Sequence, residues 1–547
     1  MGTTAGDVRR ALRDRVEIAL LDVRPEARFA AGHPLFAASF PLGRLEAEVY
    51  SRLPRRSVPV VVYGEGPGDA AAAARRLGQL GYEQVSLLAG GLDGWAASGG
   101  ELFTDVNTPS KAFGELVEAA AGTPAVDAGD LRARLDERAD IVVLDARRFE
   151  EYQVMSIPTA TSVPGAELVL RARALAPDPA TTVVVNCAGR TRSIIGTQSL
   201  INAGLPNQVV ALRNGTMGWA LAGLTLDHGQ RRRPPDIPAP AARRAQAAAR
   251  SVADRAGARR ITPAELAAAL DDGGRTVYRF DVRTPEEYAA GHRPGFRPAP
   301  GGQLVQEIDW FAPVRGAVIV LDGDDGGRAE MTASWLAQMG WAVAVLDAGP
   351  GPAETGECTP PRPEPPRVPL ASAAQADDWL RAGQARVVDV GPSPRYRAGH
   401  LPGAAWALRA DLYADLRAGP RAQPGRLVLT SPDGYLAAFA AAEVAEAATG
   451  PDGAEVLALD GGTDGWARSG RPLESGPAEL LSPEVDVYRR PYEGTAADPA
   501  VMRAYLDWEY GLVAQLERDR THHFRVLTSI GGDAHGKLSA TFADGLP

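Results

Sequence analysis

A chain of 547 residues exceeds what one hydrophobic core can organise, so roughly three to five domains are expected. Its 45% apolar and 23% charged residues are those of a globular protein. A formal net charge of −10 lacks the basic field that phosphate contact needs, which excludes nucleic-acid binding as a main role. Two cysteines cannot build a disulfide framework. No run of about 18 apolar residues marks a membrane span, and the N-terminus carries no apolar stretch of signal-peptide length. A cytoplasmic protein with reduced thiols is expected.

Taken in order, the chain repeats one pattern about four times, with a period of roughly 110 to 135 residues. Each repeat opens on an apolar strand ending in aspartate, at Asp22, Asp145, Asp281 and Asp389. An aromatic follows within eight residues, at Phe29, Tyr152, Tyr288 and Tyr396, and three repeats then show Gly32-His33, Gly291-His292 and Gly399-His400. A second apolar strand comes next. At 42 positions after the aspartate stand Gly64, Cys187 and Ser431, and 41 positions after Asp281 stands Asp322. A helical pattern and a third strand lead to Gly94-Trp95, Gly218-Trp219 and Gly465-Trp466; the third repeat has no such tryptophan. Strands alternating with helices argue for parallel α/β units with helices on both sheet faces. In such units the ligand site lies beyond the carboxyl ends of the strands.

The pattern divides the chain into 1–107, 108–228, 258–348 and 368–475, with a helical extension over 476–547. Residues 108–124 predict a short helix capped by Thr108 or Ser110 between the first two repeats. Proline density in 229–257 and 349–369 predicts semi-rigid spacers. Pro499 opens a helix with Met502, Tyr505, Leu506, Leu512, Val513 and Leu516 at helical spacing. That amphipathic face must cover a module of its own chain or a second subunit, which leaves a homodimer open.

The second repeat alone has a thiol at the strand end. A buried strand over Thr182 to Val185 runs into Cys187-Ala188-Gly189-Arg190-Thr191-Arg192-Ser193, and a helix is expected from Ile194. Successive backbone N–H groups, a helix N-terminus and two arginines all stabilise negative charge. The thiol is therefore expected to fall from about 8.5 toward or below neutrality, and the same cradle would hold an anionic substrate. Ser431 has no neighbouring base or arginine, and the acidic loop after Leu321 would repel anions. Cys358 reads as an exposed linker thiol among prolines. Asp145 and Arg147 read as a strand-end ion pair with pocket support as a second role; Trp219 reads as core or pocket wall. No metal site is expected: the cysteines lie far apart and His522-His523 has no partner at ligand spacing.

The pieces Asp145-Ala146-Arg147, Glu150-Glu151-Tyr152, Cys187 to Ser193 and Asn214-Gly215-Thr216-Met217-Gly218-Trp219 resemble the rhodanese (sulfurtransferase) family. The resemblance runs over four tandem modules from about residue 10 to residue 475. It implies three-layer α/β/α modules, each a mostly parallel sheet flanked by helices. It also implies that Cys187 takes a sulfane sulfur as a persulfide from a small anionic donor such as thiosulfate or a persulfide. The sulfur would pass to a thiol, cyanide or protein-thiol acceptor. Arg192 would bind the donor anion, with Ala188, Gly189, Arg190, Thr191 and Ser193 completing the cradle, and no metal or organic cofactor is needed. Met155-Ser156-Ile157-Pro158-Thr159-Ala160 departs from the Gly-His-Ile-Pro-Gly-Ala stretch of many members. Cysteine-dependent phosphatases place their arginine six positions after the cysteine, where this chain has Ser193. A scaffold or persulfide carrier is the other reading, because three modules lack a strand-end thiol.

Overall fold

The aspartate-ending strands lie inside four separate sheets of a computed structural model, which describes residues 2–527 apart from 324–326, 350, 352, 419–424, 448–453, 478 and 494–497. The second module orders its strands Ala125–Val126, Val209–Leu212, Thr182–Asn186, Ile141–Asp145 and Thr161–Ser162, all parallel. Strand side chains alternate between faces. Leu144, Val183 and Val185 therefore enter one core, while Val143 and Val184 enter the other. A strand buried on both faces must be apolar throughout, which is why these strands read as unbroken valine runs.

The third module uses Arg259–Ile261, Ala342–Leu346, Val318–Asp322, Val277–Asp281 and Arg297–Pro298 in the same order. It also lends Val314–Arg315 to the first module, antiparallel to Ile18–Ala19. The fourth module gains a sixth parallel strand, Glu479–Leu480, from the C-terminal extension.

The ladder register corrects one alignment. Asp22 pairs with Tyr63, Asp145 with Asn186, Asp281 with Asp322 and Asp389 with Thr430. The residues that follow are Gly64, Cys187, Gly323 and Ser431. Gly323, not Asp322, therefore occupies the position of Cys187 in the third module. Asp324 and Asp325 of that acidic loop lie outside the described residues.

The expected spacer over 229–257 is largely a helix. Ala239–Ala256 buries Ala245, Ala249, Val252, Ala253 and Ala256, packing on Gly327–Gln338 of the third module and Leu168–Leu175 of the second. Alanine has the best helix propensity and lets neighbouring helices approach closely. The prolines sit before the helix or in its first turn, where no helical hydrogen bond is lost. Modules two and three also meet at Gly165 and Gly302, the turns after their edge strands. Modules one and four meet through the corresponding turns, with Gly43 against Arg409 and Arg409 held by Glu46 and Glu443.

Residues Thr108–Ala121 form the expected helix, but Asn107 precedes it in the left-handed region at φ 59°. Ser110 spends its hydroxyl on the carbonyls of Asn107 and Gln306 instead of capping. This helix packs on Thr191–Asn202 and on the C-terminal helix Pro499–Asp519. The amphipathic C-terminal helix thus covers its own chain. Among the described residues no helix is long and apolar enough to cross a membrane.

Val252→Asp would place a charge in the seam between modules two and three. It should cost about 3 kcal/mol or more, read as a lower thermal midpoint and faster proteolysis within 229–257.

Candidate active site around Cys187

Strand Thr182–Asn186 delivers Cys187 to the sheet edge, and helix Thr191–Asn202 starts inside the loop, earlier than the expected Ile194. The loop leans on the turn after the next strand. The amides of Thr216 and Met217 donate to the carbonyls of Cys187 and Ala188 at 2.9 and 3.0 Å. Gly215 makes that approach possible: its φ is +54°, and a Cβ there would stand 2.2 Å from the Cys187 carbonyl oxygen. The Cys187 thiol donates to the Ser193 hydroxyl at 3.4 Å, and that hydroxyl donates to the Arg190 carbonyl at 2.8 Å.

Cys187 is 2% exposed. Burial pushes its thiol up, against the Arg192 charge and the Ser193 hydrogen bonds, and Glu509 adds to the rise. The expectation of a thiol lowered toward neutrality is reversed. Desolvation outweighs the positive cradle.

Both loop arginines are engaged by carboxylates. Arg192 donates a fork to Glu151 at 2.7 and 2.9 Å. Burial alone would raise the Glu151 carboxyl, but the Arg192 charge and hydrogen bonds hold it well below the usual carboxylate range. In the third module Arg328, five positions after Gly323, makes the same fork to Glu287 at 2.6 and 3.0 Å. A pair that recurs where there is no thiol is a brace between loop and helix. The Arg192 guanidinium, which the resemblance assigns to the donor, is thus spent on Glu151 in this structure.

Arg190 donates to Glu115 at 2.7 and 2.9 Å and to Glu118. It also donates to Asn214 at 3.2 Å and to the Tyr510 hydroxyl at 2.8 Å. What remains for an anion is the run of loop amides and the helix N-terminus. Thr191 is pressed against helix Thr108–Ala121, where a Cβ on Gly114 would meet its Cγ2 at 2.9 Å.

Asp145 and Arg147 form a buried fork of 2.7 to 3.2 Å, and Arg147 also donates to the Met155 carbonyl. The same fork joins Asp22 to Arg24 and Asp281 to Arg283. It is a strand-end brace in modules with and without the cysteine. Trp219 is core, with its ring N–H donating to the Thr225 carbonyl at 2.9 Å.

The sequence reading missed Glu115, Glu118, Lys111, Glu509 and Tyr510, and gave Asn214 and Tyr505 no role at the loop. Glu509 and Tyr505 lie over Gly189, at 3.4 and 3.8 Å from the point a Cβ would occupy. Glu151 was visible within the Glu-Glu-Tyr motif. Helical spacing marked Tyr505 as part of an apolar face, but nothing in sequence tied that face to the loop.

Residues 4–98, 127–222, 262–350 and 372–469 match the rhodanese-like domain. The chain belongs to the rhodanese-like family. The chain is 56% identical to a crystal structure of thiosulfate sulfurtransferase from Pseudomonas aeruginosa, covering 96% of this chain and 100% of that one with a TM-score of 0.93. The Alr3790 protein from Anabaena sp. is 32% identical, over 19% of this chain and 83% of that chain, with a TM-score of 0.18. The HTH-type transcriptional regulator Rv0324 of Mycobacterium tuberculosis (strain ATCC 25618 / H37Rv) is 33% identical over 96 residues. That match takes in 18% of the rhodanese chain and 42% of the regulator, so this chain spans less than half of that relative's length.

If the Arg192–Glu151 fork is a brace, Arg192→Ala should slow sulfur uptake from thiosulfate and from a neutral persulfide by the same factor. Glu151 is depressed below its unfolded value of 4.5, so its contribution is present above that pH and lost as acid protonates the folded carboxyl. The variant should lose about 2 kcal/mol at neutral pH and unfold at a higher pH on acidification, as urea titrations across the acid range would show.

Proposed function

We propose that this protein is a sulfurtransferase that carries sulfur on Cys187 as a persulfide. The observation that carries the reading is the seat of that thiol: the second cysteine of the sequence, Cys358, is in no strand-end loop. Cys187 stands between a parallel strand and a helix N-terminus, with its own and the next carbonyl tied to the neighbouring turn. A sulfur nucleophile there attacks the outer sulfur of a donor. The donor's S–S bond breaks and its leaving group departs with the bonding pair. The loop amides and helix N-terminus bear the charge on the terminal persulfide sulfur, as an oxyanion hole bears charge on oxygen. A thiolate or cyanide acceptor then takes that sulfur and Cys187 is released.

The braces at Arg192–Glu151 and Arg190–Glu115 hold the loop in shape for both steps. No part of the cycle calls for a metal or organic cofactor. The extensive likeness to a protein described as a thiosulfate sulfurtransferase supports thiosulfate as the first donor to test. Thiols, cyanide and protein thiols are the acceptor class. A reducing compartment such as the cytoplasm would keep Cys187 available. The third module packs on the second, and the C-terminal helix lies over its cysteine loop, so a scaffold role and the enzyme role coexist in one chain.

The chain should gain one reducible sulfur atom on incubation with excess donor, found by intact mass and located by peptide mapping at Cys187. Cys187→Ser should abolish transfer, and Cys358→Ser should leave it nearly intact. Rapid loading at Cys358 with Cys187 unmodified would overturn the assignment.

A further inference from the structure

The last residue of the cysteine loop brings a hydroxyl to the sulfur. Ser193 is 1% exposed. Its Oγ lies 3.4 Å from the Cys187 Sγ, accepting from the thiol while donating to the Arg190 carbonyl at 2.8 Å. Two ionic braces of this loop recur in a module without the thiol: Arg328–Glu287 copies Arg192–Glu151, and Asp281–Arg283 copies Asp145–Arg147. The hydroxyl does not recur. Six positions after Gly64, Gly323 and Ser431 stand Ala70, Ala329 and Ala437. These alanines hold the place of Ser193 in space as well. A Cβ on Gly64 would stand 3.3 Å from the Ala70 nitrogen, and one on Gly323 would stand 3.5 Å from the Ala329 Cβ. In the fourth module the Ala437 amide donates to the Ser431 hydroxyl at 3.2 Å. Among the four modules, a hydroxyl at this position accompanies the thiol alone.

We propose that the Ser193 hydroxyl is a catalytic hydrogen-bond donor to the Cys187 thiolate in sulfur transfer, an assignment that rests on the sulfurtransferase reading above. A hydroxyl has one donor and two acceptor sites. Facing the resting thiol, it accepts the S–H and gives its own proton to the Arg190 carbonyl. Once the thiol proton has gone to a buffer base, rotation about the Cβ–Oγ bond turns the hydroxyl proton onto the sulfur. No heavy atom has to move. In loading, the thiolate pair bonds to the outer sulfur of thiosulfate, and the donor S–S bond breaks with sulfite carrying off its pair. In discharge, an acceptor thiolate bonds the terminal persulfide sulfur, and the persulfide S–S bond breaks toward Cys187. Negative charge then returns to the atom that the hydroxyl faces. Charge balances in both steps, and no oxidant or reductant enters.

The charged groups that bear on the thiol are Arg192 of its own loop and Glu509 of helix Pro499–Asp519. Burial pushes the thiol up; the Arg192 charge and the Ser193 hydroxyl and amide oppose that rise, and Glu509 adds to it. Arg192 gives its two terminal nitrogens to Glu151, so Ser193 is the side chain that hydrogen-bonds the sulfur directly. A hydrogen bond to an ion is roughly twice as strong as one between neutral groups, and a buried, water-poor site strengthens it further.

The test uses the full chain carrying Cys358→Ser, so that iodoacetamide alkylation and sulfur loading both report Cys187. Adding Ser193→Ala should move the inflection of the alkylation rate upward by about 1 to 2 in pH. Loading from thiosulfate, read by intact mass, should be slower by about 10- to 100-fold at neutral pH. It should recover above the new inflection, since only the thiolate fraction has fallen. Discharge to 2-mercaptoethanol should be slower than in the parent chain by about 10-fold or more at every pH, because there the Cys187 thiolate is the leaving group. Ser193→Thr keeps the hydroxyl and should keep both the inflection and the discharge rate. Ser193→Gly, which also lacks the hydroxyl, takes the place of the alanine variant if that one does not fold. An unmoved inflection with unchanged discharge overturns the role of Ser193. So does an unmoved inflection with both steps slowed alike at every pH, the mark of a residue that only shapes the loop. A parent chain that alkylates at Cys187 but takes no sulfur at any pH overturns the sulfurtransferase reading, and the catalytic role with it.

Discussion

The buried guanidinium of Arg190 is the tie on which the site depends. A charge taken out of water must find its partners inside the protein, and removing one of them is strongly destabilising. Arg190 draws its partners from three other places in the chain: Glu115 and Glu118 on the helix between modules one and two, Asn214 in the adjoining turn, and Tyr510 on the C-terminal helix. Tyr510 lies 320 residues away in sequence. Satisfying one loop residue therefore assembles the intermodule helix, the wall and the roof at once. Tyr510 lies outside residues 108–228, so the C-terminal helix is part of the site's construction.

Four copies of one sheet have met different fates at the same position. In the first module a Cβ on Gly64 would stand 2.8 Å from the Cβ of Asp69, so the space a thiol needs is filled. In the fourth, Ser431 accepts a hydrogen bond from the Ala437 amide at 3.2 Å and serves the following helix. The strand-end aspartate tells the same story. Where an arginine follows two residues later, a fork neutralises the carboxylate. Asp389 is followed there by Gly391, and burial pushes its carboxyl up to about 6 against the Gly391 amide and the Thr463 hydroxyl. The modules without the strand-end thiol join one another: Arg409 of the fourth holds Glu46 of the first, and a strand of the third pairs with the first module's sheet.

Much of this was legible because it is local. Valine runs, aspartate at strand ends and glycine before tryptophan are set by neighbours in sequence, so four parallel α/β units and the cysteine loop could be read directly. Two errors had local causes as well. Taking Asp322, at the end of Val318-Ile319-Val320-Leu321, as the counterpart of Cys187 slipped the third module by one position, and proline density hid an alanine-rich helix whose first turn holds the last of those prolines. The carboxylates were hidden for another reason. Glu115 and Glu509 reach the loop through tertiary packing, and nothing beside them in sequence records which arginine or amide they meet; Glu151 stood in a quoted motif, but its partner Arg192 did not follow from it. The direction of the Cys187 shift failed on the same ground: the cradle is visible in the motif, but the roof that desolvates it is not.

That roof sets the terms of the chemistry. Tyr505 and Leu506 pack with Met217 against the loop's wall, and Lys111, 2.8 Å from Asp105, lies beneath the rings of Tyr505 and Trp508. The far end of the helix is held as well: Leu512 and Leu516 are buried in the core shared with the first and third modules, and the Gln515 amide donates to the Leu102 carbonyl at 2.9 Å. Cys187 is almost fully covered, and the helix that covers it also supplies Tyr510 to Arg190. That cover keeps water from the Cys187 sulfur at the expense of thiol acidity. The same desolvation acts on Glu509. Burial disfavours charge on the thiol and on the carboxyl alike, so both groups are held toward their neutral forms beneath the helix.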